Sequence, residues 1–213
     1  MPGRVSVGLS IGGIVIKISR RSVCALGLGA LLVPSIAWAK SLNTILSVPQ
    51  IAKRSRSNDD WLAAAANLAA WQSEISVGEG IVLQQINNPQ RWRDLYDADT
   101  GLATADLAAF AADAGLVVDG RKGATLAHWH ALLMQSGPIW IGVANQTYKA
   151  GRVWVIVGIA GDGSLDGTEM RIINVGSGEV EVMSAKKFGD LTEATAKADG
   201  ITGKIAPQVL RLA

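Results

Sequence analysis

The chain has 213 residues, of which 20 are lysine or arginine, 18 are aspartate or glutamate, and one, Cys24, is cysteine. Four basic residues and no acidic residue lie in the first 39 positions, so residues 40–213 carry 16 basic and 18 acidic side chains, a net charge of about −2. This balance argues against a nucleic-acid-binding protein, and one cysteine excludes a disulfide framework.

Residues 1–39 have the pattern of an export signal. A basic head without acidic residues leads into an uncharged apolar run from Val23 to Trp38, and the segment ends in Ala37-Trp38-Ala39. A basic head, an apolar middle and an A-x-A site together predict a secretory signal peptide. The pair Arg20-Arg21 fits the twin-arginine route, and Sec export is equally open.

The alternative to cleavage is an N-terminal membrane anchor. The uncharged stretch 22–39 is at the short end of what spans a bilayer and Pro34 interrupts it, so cleavage is favoured. Cleavage would also remove Cys24 and leave an exported protein without a thiol. The remaining residues, 40–213, are enough for a single domain.

Three helices are predicted after a polar loop at 53–60. The first, 61–71, is rich in alanine and leucine and has no glycine or proline, and its low charge predicts burial on most sides. The second covers about 103–114 and ends at Gly115, and the third covers about 125–135.

The last part of the chain changes to the period of strands. Four β-branched runs are separated by clusters of Gly, Asp and Ser, which predicts antiparallel strands joined by turns. The runs are 139–144, 152–159, 169–175 and 180–184. Helices followed by strands predict an α+β domain.

Several short motifs occur in an order that resembles a known family. They are Val48-Pro49-x-Ile51, Asp60-Trp61-Leu-Ala-Ala-Ala, Gly137-Pro138-Ile-Trp140, Gly151-Arg152-Val153-Trp154 with Gly161-Asp162-Gly163, and Ile172-Ile173-Asn174. Over residues 45–190 this order is similar to that of the bacterial papain-like cysteine proteases of the secreted-effector branch. The resemblance implies a papain-like fold, in which a helical subdomain with a long buried central helix packs against an antiparallel β-sheet or half-barrel.

The resemblance also implies where the site residues lie. In the family a cysteine precedes the tryptophan of the central helix, a histidine follows the glycine of a strand, an Asp or Asn ends the next strand, and a glutamine lies some six residues before the cysteine. Those positions hold Asp60, Arg152, Asn174, and Lys53 or Arg54, with Trp61, Gly151 and Trp154 as neighbours in the cleft. The cysteine and the histidine are therefore both replaced.

These replacements predict a catalytically dead member of the family. A carboxylate that attacked a peptide would form a labile anhydride, and arginine stays protonated and cannot act as the base. Asp60 and Arg152 keep the charges of a thiolate and an imidazolium. We hypothesise that they form a salt bridge across the old cleft, with Asp60 also accepting from N–H groups at the start of the helix. The alternative is that both side chains extend into solvent.

The histidines and a turn-like motif favour structural roles. His128 and His130 lie two apart on a predicted helix and point to nearly opposite sides, so no metal site is expected there. The stretch 162–167 resembles the opening of a calcium loop, but Ile173 stands where that loop needs a glutamate. A β-turn between two strands is the favoured interpretation.

The aromatic residues and a group of aspartates also favour structural roles. Asp94, Asp97 and Asp99 predict a solvated loop, and Trp92 is expected to fasten that loop to the domain rather than to contact a partner. The other tryptophans of the predicted helix and strand are expected in the core, at Trp61, Trp71 and Trp140.

The sequence thus predicts an exported protein, periplasmic or secreted, that binds a peptide or protein without cleaving it, as an effector, an adaptor or a regulator. No cofactor, metal or nucleic acid is expected, and no stable membrane association once the signal is removed. The alternative is an active hydrolase with relocated or misaligned catalytic residues. The missing thiol favours binding over hydrolysis.

Overall fold

The computed structural model describes residues 10–11, 14–15, 41–49, 52–119, 125–145, 148–198 and 209–213, but not the side chains of 10–15, 143–152 and 193–198. The chain divides into two compact units, 1–37 and 38–213. In the first unit, strands β1 (Ser10–Ile11) and β2 (Ile14–Val15) pair antiparallel. The rest of the predicted export signal lies outside the described residues.

The described residues of the second unit form six α-helices, one 3₁₀ turn and seven strands. The helices are α1 (Asp60–Ser73), α2 (Glu79–Gln85), α3 (Pro89–Asp97), α4 (Leu107–Asp113), α5 (Leu126–Ser136) and α6 (Ala185–Ala198), and the 3₁₀ turn Thr104–Asp106 precedes α4. The strands are β3 (Leu42–Ile45), β4 (Leu116–Val118), β5 (Ile139–Asn145), β6 (Tyr148–Gly161), β7 (Thr168–Asn174), β8 (Glu179–Ser184) and β9 (Val209–Leu212). Within this part of the chain, no helix has both the length and the apolar character needed to cross a membrane.

The seven strands form one antiparallel sheet in which β6 is the central and longest strand. The order is β4-β9-β5-β6-β7-β8, and β3 pairs with the last four residues of β6. β5 pairs with the first part of β6 and β3 with its last four residues, so β5 and β3 follow one another along the same side of β6. On the other side of β6, the register with β7 places Trp154 opposite Asn174.

Alternate residues of β6 contribute to two hydrophobic cores. Val153, Val155 and Val157 pack with α1 to α4, and Ile156 and Ile159 pack with α5 and α6. Successive side chains of a strand point to opposite faces, and the register shift between Ile156 and Gly158 brings Ile159 into the same core as Ile156. One strand therefore serves both layers. The sheet is therefore covered by helices on both faces.

α1 lies in the middle of the first core. Ala63, Ala64, Ala66 and Ala70 are completely buried, and Trp61 is 2% exposed. A helix that is apolar all round belongs inside a protein, and alanine side chains let neighbouring elements approach it closely. The prediction of a long buried helix packed against an antiparallel sheet is confirmed.

The three predicted helices and four predicted strands are all present, with bounds shifted by a few residues. The sequence reasoning did not predict α2, α3 and α6 or the short strands β3, β4 and β9. α2 has seven residues, and the two short strands at the ends of the second unit have four each. Elements this short give a weak periodic signal, but α6 has 14 residues, so length does not explain why it was missed.

The loop predicted at Asp94, Asp97 and Asp99 is wrong for the first two, which lie in α3, whereas Asp99 follows the helix in a turn. Trp92 is completely buried on this helix, so its role in packing is confirmed although its place in a loop is not. The helix is mostly polar and its apolar face is narrow, which made the segment resemble a loop. Pro89 at the first turn fits the start of a helix.

The turn after α5 depends on a glycine. Gly137 has φ +75° and ψ −147°, a conformation that is essentially restricted to glycine, and a Cβ atom there would overlap the ring of Trp71. We expect Gly137→Ala to lower the free energy of unfolding by about 2–4 kcal/mol, measured by urea unfolding. Gly80 of α2 has open space around it, so Gly80→Ala is the matched control and should not destabilise. A Gly137→Ala protein as stable as the control would contradict this packing.

Candidate functional site

Asp60 is the first residue of α1, and its carboxylate forms an ion pair with Arg54. Arg54 Nη1 lies 3.0 Å from Asp60 Oδ1, and the side chains are 20% and 8% exposed. The same nitrogen donates to the carbonyl of Ser57 at 2.6 Å. The negative charge at the start of the buried helix is therefore neutralised by a cation six positions earlier in the chain.

The segment before α1, residues 52–59, carries Arg54 and is held in place at its first residue, Ala52. Asn67 of α1 is completely buried, accepts from the amide of Ala52 at 2.9 Å and donates to the carbonyl of Ala52 at 2.9 Å. The Arg54 amide donates to the carbonyl of Val175 at 2.9 Å. Backbone hydrogen bonds to α1 and to the end of β7 thus set the position of the guanidinium.

Asp59 folds the segment back on itself. Its Oδ2 accepts from the amides of Ser55 and Arg56 at 3.1 and 2.9 Å and from the Ser55 hydroxyl at 3.0 Å. Its carbonyl accepts the amides of Leu62 and Ala63, the first hydrogen bonds of the helix. Asp59 therefore organises the loop through its side chain and starts α1 through its backbone.

The predicted strand residues lie on neighbouring strands. Arg152 lies in β6 next to Gly151 and its backbone pairs with Val143 of β5, but its side chain is outside the described part. The salt bridge between Asp60 and Arg152 therefore stays a prediction. Trp154 is half-buried and packs against the second core.

Asn174 is held in the turn between β7 and β8. Its Nδ2 donates to Glu181 Oε1 at 2.7 Å, and its Oδ1 accepts from the Gly176 amide at 3.0 Å. Lys53 is exposed and its stem lies beside Gly178 in the same turn. Of the two candidates for the glutamine position, Arg54 is the one whose side chain reaches Asp60.

Trp61 is a core residue. Its ring packs against the rings of Trp92 and Phe110, with centroid distances of 6.2 and 5.0 Å. Its carbonyl accepts from Trp140 Nε1 at 3.2 Å. The indole of Trp61 therefore anchors the start of α1 to the core, which confirms the prediction that Trp61 is a core residue.

A cluster next to the ion pair was not predicted from the sequence. Ser55 Oγ lies 2.6 Å from Glu79 Oε2 and 2.9 Å from Tyr96 Oη, in addition to its contact with Asp59. Burial, and next to it the charge of Asp59, raise the pKa of Glu79 to about 7, although the hydroxyl of Ser55 acts in the opposite direction. Glu79 and Tyr96 lie 24 and 41 residues after Ser55, so no local motif could reveal the cluster.

The histidines and the glycine-rich turn have structural partners. His128 Nε2 lies 3.0 Å from Asp119 Oδ2, and His130 Nε2 lies 3.0 Å from Thr44 Oγ1. Among the described residues, no three His, Cys, Asp or Glu side chains are grouped so that they could hold a metal. The stretch 162–167 is the β6–β7 turn, and hydrogen bonds from Ser164 hold the pKa of Asp162 below its usual value.

Comparison with known proteins gives one family. A search among curated proteins and a search among solved structures return no match. The family model described as papain-like cysteine protease AvrRpt2 matches residues 42–190, which is more than half of the chain and includes α1, the Arg54–Asp60 pair and strands β3 to β8. The α+β fold, with a buried central helix on an antiparallel sheet, agrees with that assignment. The chain therefore belongs to the papain-like cysteine protease AvrRpt2 family of bacterial effectors.

Proposed function

We propose that this chain is an exported pseudoprotease, which holds a peptide or protein at the former active site and does not cleave it. The observation that carries the proposal is the Arg54–Asp60 ion pair at the start of the buried helix. The resemblance to the family gives that position to the nucleophilic cysteine. The only cysteine of the chain, Cys24, lies outside the matched residues.

The chemistry of the pair supports binding over catalysis. A carboxylate is a weak nucleophile toward a peptide. The hydrogen-bonded guanidinium of Arg54, 3.0 Å from Asp60 Oδ1, stabilises the carboxylate and makes it less nucleophilic still. Arginine does not deprotonate at a working pH, so neither Arg54 nor Arg152 can act as general base. A cleaving enzyme needs a group that can lose and regain a proton beside its nucleophile.

The geometry favours Arg54 as the residue at the glutamine position. In a protease that position supplies a neutral donor to the oxyanion of the intermediate. Here it supplies a fixed positive charge that is already paired with Asp60. The ion pair therefore engages both the residue at the oxyanion-donor position and the residue at the nucleophile position. A second cation from Arg152 would complete the arrangement predicted from the sequence.

The proposed partner is a peptide or protein that the effector meets after export. The acidic balance of residues 40–213 argues against nucleic acid. Export rests on the basic head, apolar run and A-x-A site of the first 39 residues. An adaptor or regulator would use the former active site in the same way as an effector.

The proposal is tested by exposing the full-length protein to a mixed peptide library and analysing both the retained and the free peptides by mass spectrometry. We expect retained peptides with intact masses. We expect Arg54→Glu to reduce retention about tenfold, because it places two anions together at the site and displaces the segment. Arg93→Glu on exposed α3 is the matched control and should retain peptides like the wild type. Absence of any retained peptide would contradict binding.

A restored site provides the positive control for cleavage. Asp60→Cys, Arg152→His and Arg54→Gln are combined in a Cys24→Ala background, so a thiol-directed protease probe can react only at position 60. We expect labelling of this protein. The same background with Ser57→Cys, an exposed position of the same segment, should not be labelled above the rate of a free thiol.

A further inference from the structure

Three elements meet at the hydroxyl group of Ser55. The segment before α1 contributes Ser55 and Asp59, α2 contributes Glu79 as its first residue, and α3 contributes Tyr96. Asp59 and Glu79 are only 2% and 8% exposed. Each carboxyl also has a buried oxygen, Asp59 Oδ1 and Glu79 Oε1, without a hydrogen-bond partner among the described residues.

The number of protons in this cluster can be deduced from the contacts. Ser55 Oγ has one hydrogen but touches Glu79 Oε2, Asp59 Oδ2 and Tyr96 Oη. Tyr96 can donate to Ser55, and Ser55 can donate to one carboxylate only. The remaining contact would then join two acceptors. One added proton on Glu79 turns it into a donor, and every contact becomes a hydrogen bond.

The proton on Glu79 also leaves one negative charge instead of two on this buried pair of carboxyls. Burial and the nearby negative charge of Asp59 both disfavour the ionised form of Glu79. Asp59 Oδ2 already accepts from two backbone amides, so a proton on that oxygen would displace a donor. The proton therefore belongs on Glu79.

We propose that a proton on Glu79 acts as a latch, which holds the segment Ala52–Asp59 against α2 and α3, and that loss of this proton releases the segment. Release would loosen Ser55 first, because its hydroxyl makes the contacts to Glu79 and Tyr96, and with it the amides of Ser55 and Arg56, which depend on Asp59 in the same segment. Arg54 lies next to them and would follow. The latch would then control how firmly Arg54 is held against Asp60, whether or not the groove binds a peptide.

The other charged groups around the latch do not replace the proton. Arg56 stacks over the Tyr96 ring with its guanidinium carbon 4.1 Å from the centroid, and it lies 3.6 Å from Asp97 on α3. Arg54 is paired with Asp60 on the α1 side. Arg54 and Arg56 are therefore engaged with other partners, and the buried pair of carboxyls keeps its excess of negative charge.

The direction of the pH dependence follows from the pKa of Glu79, which is about 7 in the folded protein against an ordinary value near 4.5. The folded state keeps the proton that the unfolded state loses first. Stability is therefore highest below the ordinary value, falls as the pH rises toward 7, and is constant above it. The latch is closed in mild acid and open in mild alkali.

The contacts of Ser55 also argue against a nucleophilic serine. A serine that attacks a carbonyl group must present a free lone pair, with its proton held by the base. Ser55 Oγ already accepts from Tyr96 and, in the latched state, from Glu79, while it donates to Asp59. Its oxygen is therefore saturated, and the cluster is a structural device.

The test follows amide hydrogen exchange at Ser55 and Arg56 in the full-length protein at about pH 5.5 and about pH 8.5, corrected for the intrinsic rates. We expect protection of these amides to fall about tenfold at the higher pH, the effect of losing one hydrogen bond. In parallel, the carboxyl carbon of Glu79 should titrate with a midpoint near 7 by carbon NMR.

Two variants separate the latch from a general loss of stability. Glu79→Gln keeps a donor at this position at every pH, so protection should be high at both pH values. Glu79→Ala removes it, so protection should be low at both. Glu74→Gln, on an exposed glutamate, should behave like the wild type. Equal protection of the wild type at both pH values, or the same loss in Glu79→Gln, would overturn the proposal.

Discussion

Trp92→Ala should lower the free energy of unfolding by about 3–5 kcal/mol, as expected when a fully buried aromatic side chain is removed. The Trp92 ring is completely buried and packs against Trp61 at 6.2 Å and Phe110 at 5.4 Å. Its Nε1 donates to Asp113 Oδ2 at 3.0 Å. The substitution therefore leaves a cavity at the start of α1 and removes a donor from a carboxylate.

The loss is measured by urea unfolding followed by circular dichroism, and two variants serve as controls. Trp92→Phe keeps an aromatic ring and loses the hydrogen bond to Asp113, so a smaller loss of about 1–2 kcal/mol is expected. Ile75→Ala, at a side chain that is 63% exposed, should change stability by less than about 0.5 kcal/mol. If Trp92→Ala cost no more than Ile75→Ala, Trp92 would not be part of the core.

The second large effect concerns the ion pair. Arg54→Ala should destabilise by about 2–4 kcal/mol, because it leaves the carboxylate of Asp60 without this cation at a site where its side chain is 8% exposed. Asp60→Ala should cost somewhat less, since Arg54 is 20% exposed and can reach water. A double-mutant cycle should give a coupling energy of about 1–3 kcal/mol.

A second ion pair of the chain is the control for this cycle. Arg91 Nη2 lies 2.6 Å from Asp106 Oδ1, closer than Arg54 lies to Asp60, but its side chains are 49% and 31% exposed. Solvent screens an exposed pair, so the same cycle there should give below about 1 kcal/mol. Equal coupling in the two pairs would mean that burial does not strengthen the Arg54–Asp60 interaction.

Much of the fold could be predicted from the sequence because its central elements have clear periods. The alanine-rich run after Trp61 could be a buried helix and little else, and the β-branched runs around Val155 and Ile172 could only be strands. Elements with a mostly polar surface were missed. α3 buries only Trp92 among its nine residues, and Pro89 was its one sign of a helix start.

The site was predicted less completely because its partners are set by tertiary contacts. The resemblance marked Asp60 and offered Lys53 or Arg54, but only the hydrogen bonds of Asn67 to Ala52 determine which cation turns toward the helix. The salt bridge predicted from the sequence joins Asp60 to Arg152, so it gave no reason to expect that Asp60 pairs with Arg54. Pairing six residues apart depends on the fold of the loop, which Asp59 sets.

The central claim is that fixed charges stand where a protease has its nucleophile, and new peptide termini are the most direct measure of it. After prolonged incubation of the full-length wild-type protein with the peptide library, mass spectrometry should find no termini beyond those of a blank, while the restored variant serves as the positive control. Wild-type cleavage that disappears in Asp60→Ala would show that Asp60 is catalytic and would contradict the account.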